Sequence, residues 1–321
     1  MSVLVTGAAG FVGSALVREL LHRGEIVVGV DSFTDYYSAD LKKANLAGLR
    51  SPDFRFHAVD LNHADLGEML EGVTAVYHQA GQPGVRSSWG DEFEEYLRAN
   101  VSATQRLLEA TRSAADLQKF VYASSSSVYG EAERYPTTEQ DRPQPRSPYG
   151  VTKLAAEHLC SLYASNFGIP TVSLRYFTVY GPGQRPDMAF TRFTRAAVGG
   201  REITLFGTGE QVRDFTFITD VVRANILAAK SDCEPGSVFN VAGGSSVSIN
   251  EALDLIEQIS GETLTVRREP TVSGDVTRTG GSTERIREAL GWEPTVSIEE
   301  GLRAHVEWAR SMEKRADDKS S

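Results

Sequence analysis

The chain has 321 residues, 40% of them hydrophobic and 24% charged, enough for one large α/β domain or a large one plus a small one. Its 33 Lys and Arg against 43 Asp and Glu give a net charge of −10, which excludes a broad nucleic-acid or anionic-membrane surface. Cys160 and Cys233 lack CxxC spacing, no apolar run reaches ~20 residues, and MSVLVTGAAG lacks signal-peptide features, so a disulfide-free cytoplasmic protein is expected.

In chain order, strand-like runs fall at VLVT (3–6), IVVGV (26–30), RFHAV (55–59), AVYHQ (75–79), KFVYAS (119–124) and TVSLRY (171–176). Helical patterns fill 11–24, 93–114 and 149–168. Strands spaced by helices predict βαβ units, hence an α/β protein with a doubly wound parallel sheet. From about Arg175 the rhythm changes to Gly- and Pro-rich loops around a helix near 189–199, the strand ITLF (203–206) and the segment RDFTFITDVVRANILAA (213–229). GSVFNVAG (236–243) reads as strand and SINEALDLIEQIS (248–260) as a capped helix. STERIREALGW (282–292) and SIEEGLRAHVEWAR (297–310) each start at a serine with glutamate close behind, as helices often do. The polar tail MEKRADDKSS is expected to fray. The expected division is a cofactor domain over 1–175, with later crossings near 213–243, and a smaller C-terminal α/β substrate domain over 176–321.

TGAAGFVG places Gly7, Gly10 and Gly13 in a GxxGxxG pattern between the first strand and the first helix. Glycines there allow a tight turn and let backbone approach a pyrophosphate at the positive helix N-terminus. Asp31, 18 residues beyond Gly13, ends the second strand, where a carboxylate accepts bonds from a ribose diol and repels a 2′-phosphate; NAD is preferred over NADP. Asp60 and Leu61 close the third strand, within reach of an adenine.

Tyr149 and Lys153, in SPYGVTK, are i and i+4 and share a helix face. A lysine ammonium and a nicotinamide cation nearby are expected to pull the phenol from its ordinary ~10 toward neutrality, making it an acid and base at cellular pH. The histidines at 22, 57, 63, 78, 158 and 305 show no HxxH or HExxH spacing, so no metal site is expected.

TGAAGFVG, ASSSSVYG and Tyr149-x-x-x-Lys153 resemble the extended short-chain dehydrogenase/reductase superfamily, and the resemblance extends through RDFTFITD (213–220) to LGWEP (290–294). It implies a Rossmann-type domain holding NAD tightly, with Phe11, Val12, Ser124 and Tyr176 also in the cofactor site. It implies Ser125 as the catalytic serine, with Ser126 the alternative one position on. Dehydratases of this type carry Asp-Glu after the catalytic Thr or Ser; here Ser126 and Ser127 stand there. The run TVYGPGQRPDMA is similar to UDP-glucuronate 4-epimerases, where galactose-type epimerases usually have Asn in place of Thr178. By that resemblance Ser126, Ser127 and Thr178 offer hydroxyls to a sugar carboxylate, with Arg185 or Arg86 adding charge. Arg213 and Arg278 would hold a diphosphate and Phe206 would stack near a uracil. Ser282, where many relatives have Asp, is a departure beside Arg278. Arg185 also suits a diphosphate or a neighbouring loop. A UDP-xylose-forming decarboxylase, a UDP-glucose 4-epimerase and a non-catalytic NAD-binding regulator are the alternatives. The resemblance further implies a homodimer through 93–114 and 149–168, with Leu97, Leu107, Leu108, Leu154, Leu159 and Leu162 as candidate apolar contacts; those could equally pack on the sheet.

Overall fold

The computed structural model describes residues 1–270 and 276–320. Its strands are β1 (Ser2–Thr6), β2 (Val27–Asp31), β3 (Phe54–Ala58), β4 (Val73–His78), β5 (Lys119–Ser125) and β6 (Thr171–Tyr176). There follow β7 (Thr178–Tyr180), β8 (Ile203–Phe206), β9 (Val212–Phe217), β10 (Ser237–Val241), β11 (Ser246–Ser248) and β12 (Val266–Glu269). Helices α1 (Phe11–His22), α2 (Ala39–Ala47), α3 (Leu66–Met69), α4 (Phe93–Tyr96), α5 (Ala103–Thr111) and α6 (Pro148–Phe167) alternate with the first strands. The later helices are α7 (Ala189–Gly199), α8 (Ile218–Lys230), α9 (Ile249–Ser260), α10 (Glu284–Leu290) and α11 (Ile298–Ser320).

Seven strands form one parallel sheet in the order β10-β6-β5-β4-β1-β2-β3, so the chain starts in the middle and winds outward both ways. Along β1 the alternation of a strand sends Val3 and Val5 to one apolar layer and Leu4 to the other. Both faces are covered by helices, as a parallel sheet requires. The strand order reverses between β1 and β4, which opens a crevice at their carboxyl ends, the usual ligand position in such sheets. Beyond β6 a three-stranded sheet, β11-β9-β7, and a two-stranded one, β12-β8, carry the outer lobe.

Two expectations change, and one alternative left open is settled in part. The helix expected over 93–114 is broken by a π-helical segment at Leu97–Ser102 between α4 and α5. Leu107 and Leu108 are fully buried on the sheet, whereas Leu97 and Leu162 stay 41% and 53% exposed. The tail does not fray where expected: α11 continues to Ser320, in keeping with its Ala, Glu, Lys and Arg content. Among the described residues, no helix is long and apolar enough to cross a membrane.

Candidate active site

The crevice is a cleft of about 430 Å³ running from the β1–α1 turn to the loop after β7. At one end Gly7, Gly10, Phe11, Val12 and Gly13 form its floor. Gly7 has φ +66°, and a Cβ on Gly13 would fall on the Gly7 carbonyl, so the turn is built to the limit of backbone approach. The N-cap position of α1 is Gly10, and no side chain caps the helix start. Its first amides and the positive end of its dipole are therefore available to an anion. Asp31 is held by two backbone donors, Ala9 N–H to Oδ2 at 3.1 Å and Phe33 N–H to Oδ1 at 2.8 Å, leaving lone pairs for a diol. These features fit the pyrophosphate and ribose of NAD. Asp60 and Leu61 line the same wall, but Asp60 is already tied to Asn62 N–H at 2.8 Å and ion-paired with Arg98.

Further along, β5 ends in the four serines and α6 begins. Ser124 turns its hydroxyl inward to Glu157 Oε2 at 2.6 Å. The Ser125 hydroxyl accepts Ser127 N–H at 3.1 Å and acts on the Tyr149 phenol, lowering its pKa, so strand alternation selects Ser125 from the run. Ser126 and Ser127 start a 3₁₀ turn on the cleft wall. Ser147 caps α6 through Gly150 N–H at 3.1 Å with Pro148 in the first turn, which fixes Tyr149 and Lys153 on the face toward the cleft.

The electrostatics differ from expectation. Burial raises the Tyr149 phenol above its ordinary value; the Ser125 hydrogen bond and the Arg185 charge oppose that, and the protein alone does not bring it to neutrality. Lys153 is itself buried, its Nζ 4.9 Å over the Tyr122 ring, and burial lowers it to about 8. The protein cation acting on the phenol is Arg185.

Thr178, at the start of β7, and Arg185 both line the cleft with Tyr176 and Met188. Arg185 forks onto Asp187, Nε to Oδ1 at 3.0 Å and Nη2 to Oδ2 at 2.9 Å. Tyr36 reaches across from the β2 side, its hydroxyl 3.5 Å from Asp187 Oδ2 and 3.4 Å from Ser87 Oγ. The other four sequence candidates do not line the cleft: Arg86 lies in a short turn after β4, and Phe206, Arg213 and Arg278 belong to the outer lobe. Arg86 stacks 4.7 Å over the Phe206 ring. Arg213 donates to the Val276 and Thr277 carbonyls, and Arg278 packs 5.1 Å over Tyr135. The structure thus gathers the cofactor candidates with Ser126, Ser127, Thr178 and Arg185 in one cavity; Arg86, expected at the sugar carboxylate, lies outside it against Phe206, as do Arg213 and Arg278.

Sequence reasoning missed Tyr36, Lys42, Gln82 and Asn100. Lys42 lines the cleft beside Thr34, its Nζ 2.6 Å from the Thr34 carbonyl. Asn100, inside the π-helical segment, accepts Gln82 N–H at 2.7 Å and donates to Thr152 Oγ1 at 3.0 Å, binding the 80–84 loop to α6 one residue from Lys153. A π-helical turn has no periodic signature in the sequence, so this link was not visible there.

Residues 3–242 match the profile described as "NAD dependent epimerase/dehydratase family". The chain belongs to this family. A member from Bacillus subtilis (strain 168), an uncharacterized UDP-glucose epimerase, is 42% identical over 97% of this chain and 99% of its own. The UDP-glucuronate 4-epimerase of Thermodesulfobacterium geofontis is 36% identical over 96% of this chain and 95% of its own. A crystal structure of the Bacillus cereus UDP-glucuronic acid 4-epimerase with UDP-glucuronic acid and NAD superposes at a TM-score of 0.94, with 42% identity over 97% of this chain and 100% of that one. In this chain a glycine-rich β1–α1 turn shares one cleft with Ser125, Tyr149 and Lys153.

Proposed function

We propose that the protein is an NAD-dependent UDP-glucuronate 4-epimerase, interconverting UDP-glucuronate and UDP-galacturonate. The observation that carries this reading is the placement of Arg185, Thr178, Ser126 and Ser127 around the cavity that holds Tyr149. A cation and three hydroxyls suit a sugar carboxylate better than a neutral hydroxymethyl group. The chemistry that bound NAD supplies is acceptance of the C4 hydride and its later return. Tyr149 takes the proton of the sugar 4-hydroxyl and gives it back, Ser125 orients that hydroxyl, Lys153 binds the cofactor, and the Arg185 charge favours the phenolate. Gly7, Gly10, Phe11, Val12, Gly13, Asp31, Asp60, Leu61, Ser124 and Tyr176 are proposed to form the rest of the cofactor site.

The 4-keto sugar is a β-keto acid, and it loses CO₂ most readily when its carboxylate bond stands perpendicular to the ketone. Donors that hold the carboxylate away from that orientation slow the loss, and a fixed positive charge also disfavours forming a neutral CO₂. The ring then turns while the diphosphate stays anchored. Arg213 and Arg278 are proposed as that anchor, with Arg86 stacked on Phe206 beside the uracil. We also propose the domain division near residue 175, a cytoplasmic enzyme, and a homodimer through the exposed Leu97, Val151, Leu162 and Phe167 of the 93–111 segment and α6.

Protein mixed with UDP-glucuronate without added NAD is expected to form UDP-galacturonate without CO₂, read by chromatography of the nucleotide sugars. A 4-keto pentose or UDP-xylose with CO₂ would establish a decarboxylase. Turnover of UDP-glucose alone would establish a galactose-type epimerase.

A further inference from the structure

Arg185 sits on a loop, Gly181 to Met188, that contains three of the residues least able to define one conformation by themselves: Gly181, Gly183 and the flexible guanidinium side chain. What fixes it is Gln184, which is 3% exposed and does not line the cleft. The Gln184 side chain donates from Nε2 to the Val179 carbonyl at 2.8 Å. Its Oε1 accepts the Thr191 N–H at 3.0 Å and the Thr191 hydroxyl at 3.0 Å. Thr191 is in the first turn of α7, whose N-cap position, Met188, has no side-chain acceptor. Gln184 therefore satisfies from outside an amide that the helix start would leave unpaired.

A second layer backs this contact. The Thr191 hydroxyl lies 3.3 Å from Nε2 of His305 on α11. His305 is fully buried, and burial pushes it down to about 3, so the ring is neutral. A Thr191 hydroxyl that donates to Gln184 accepts from Nε2–H, the tautomer in which Nδ1 is the bare atom without a partner. The chain Val179–Gln184–Thr191–His305 thus joins β7, the loop, α7 and α11 through side chains sealed from water.

We propose that Gln184 is a positioning residue for acidic-sugar selectivity, setting the spacing between Arg185, its chain neighbour, and Thr178, the chain neighbour of Val179. This rests on the reading of Thr178 and Arg185 as the carboxylate site. A purely structural Gln184 would support every substrate equally, whereas a positioning Gln184 matters most to a sugar that uses Arg185.

The test compares wild type, Gln184→Leu, Thr191→Val and Thr191→Ser as holoenzymes, titrated with UDP-glucuronate and with UDP-glucose, with CO₂ release followed during turnover of UDP-glucuronate. Gln184→Leu is expected to weaken UDP-glucuronate about tenfold, the size of one misplaced charge-assisted hydrogen bond, to leave UDP-glucose within about twofold, and to raise the CO₂ share. Thr191→Val, which swaps hydroxyl for methyl at constant size, is expected to move the same ratio in the same direction, and Thr191→Ser to keep the wild-type ratio. Equal weakening of both ligands, or an unchanged ratio, overturns the proposal; if Gln184→Leu does not fold, Thr191→Val decides on the same ratio. A wild type that does not prefer UDP-glucuronate fails the carboxylate reading itself and takes this inference with it, whatever the variants do.

Discussion

Arg175 and Glu157 form an ion pair inside the active-site wall, with Nη2 2.6 Å from Oε1 and Nε 3.0 Å from Oε2. Their side chains are only 5% and 3% exposed. Glu157 is one helical turn beyond Lys153 on α6, and it also accepts the hydroxyl of Ser124, the neighbour of Ser125. Arg175 on β6 passes the link to Tyr129, 2.7 Å from Nη1, and Tyr129 donates to Asn240 on β10 at 2.7 Å. Strand β6 and the helix that carries Tyr149 and Lys153 are thus locked together by a charge pair that cannot reach water, and the Ser124 hydroxyl ties the end of β5 to the same carboxylate.

That placement predicts a sharp asymmetry in stability. Glu157→Gln leaves Arg175 charged and poorly matched in the interior, which costs about 3–5 kcal/mol. Replacing both partners, Glu157→Leu with Arg175→Met, removes the stranded charge and is expected to recover most of the loss. Urea unfolding of wild type, the single variant and the double variant reads this directly; equal losses in single and double would mean the pair's hydrogen bonds, not its charge balance, hold the wall.

Tyr149 is expected to carry the proton transfer. Tyr149→Phe keeps the ring that packs edge-on against Tyr96, 6.2 Å between centroids, and removes only the hydroxyl. Epimerisation should fall about 10²–10⁴-fold while NAD content stays at the wild-type level. Ser125→Ala is expected to act in the same direction with a smaller loss. Steady-state turnover together with cofactor extraction separates the two effects, and a Phe variant that also sheds its NAD would make Tyr149 chiefly a cofactor ligand.

These two predictions draw on parts of the molecule that were unequally legible in the sequence. The alternation of β-branched runs with helical patterns identified the strands of the large sheet, most plainly β1, β2 and β4, whose runs are largely apolar and buried. The glycine spacing and the Tyr149–Lys153 interval are local, so the β1–α1 turn and the shared helix face of Tyr149 and Lys153 can be placed from the order of residues alone. Glu157 and Arg175 could not, since their partnership spans two elements and each alone resembles an ordinary charged residue. Arg185 shows the same limit: the motif marked it, but only the fold places Asp187 and Tyr36 beside it and leaves Arg213 and Arg278 in the outer lobe. The upward shift of Tyr149 was likewise invisible, because burial is a property of the closed cleft.

The cofactor end yields two substitutions with separable outcomes. Asp31→Asn keeps an acceptor for one backbone donor but loses the charge that favours a free ribose diol, so NAD retention should drop about tenfold with the fold intact. Gly13→Ala forces a methyl onto the Gly7 carbonyl, and the β1–α1 turn must open. Cofactor is then expected to be lost together with thermal stability. NAD content after gel filtration and thermal melting of the same samples distinguish the two, and a Gly13→Ala protein that keeps NAD would show that the turn has slack.

Lys153 gives the pH dependence. Its burial lowers the ammonium from an ordinary 10.5 to about 8, so the folded state disfavours the charged form while the unfolded chain does not. Below pH 8 both states are protonated and the full penalty is present. Between about 8 and 10.5 the unfolded chain binds more protons than the fold, and stability gains with rising pH; above 10.5 the penalty is gone. The fall from 10.5 to about 8 corresponds to roughly 3 kcal/mol at pH 7. Lys153→Met fills similar space and can still pack on Tyr122 through its sulfur. It should therefore be more stable than wild type at pH 7 by about 2–3 kcal/mol, and the advantage should shrink steadily from pH 8 to 10 even though turnover is lost throughout. Urea unfolding of both proteins at equal cofactor loading, at pH 7 and near 10, measures it. A pH-independent difference would trace the effect to packing, and a wild type more stable than the variant at pH 7 would mean that the Tyr122 face and the cleft stabilise the ammonium more than burial penalises it.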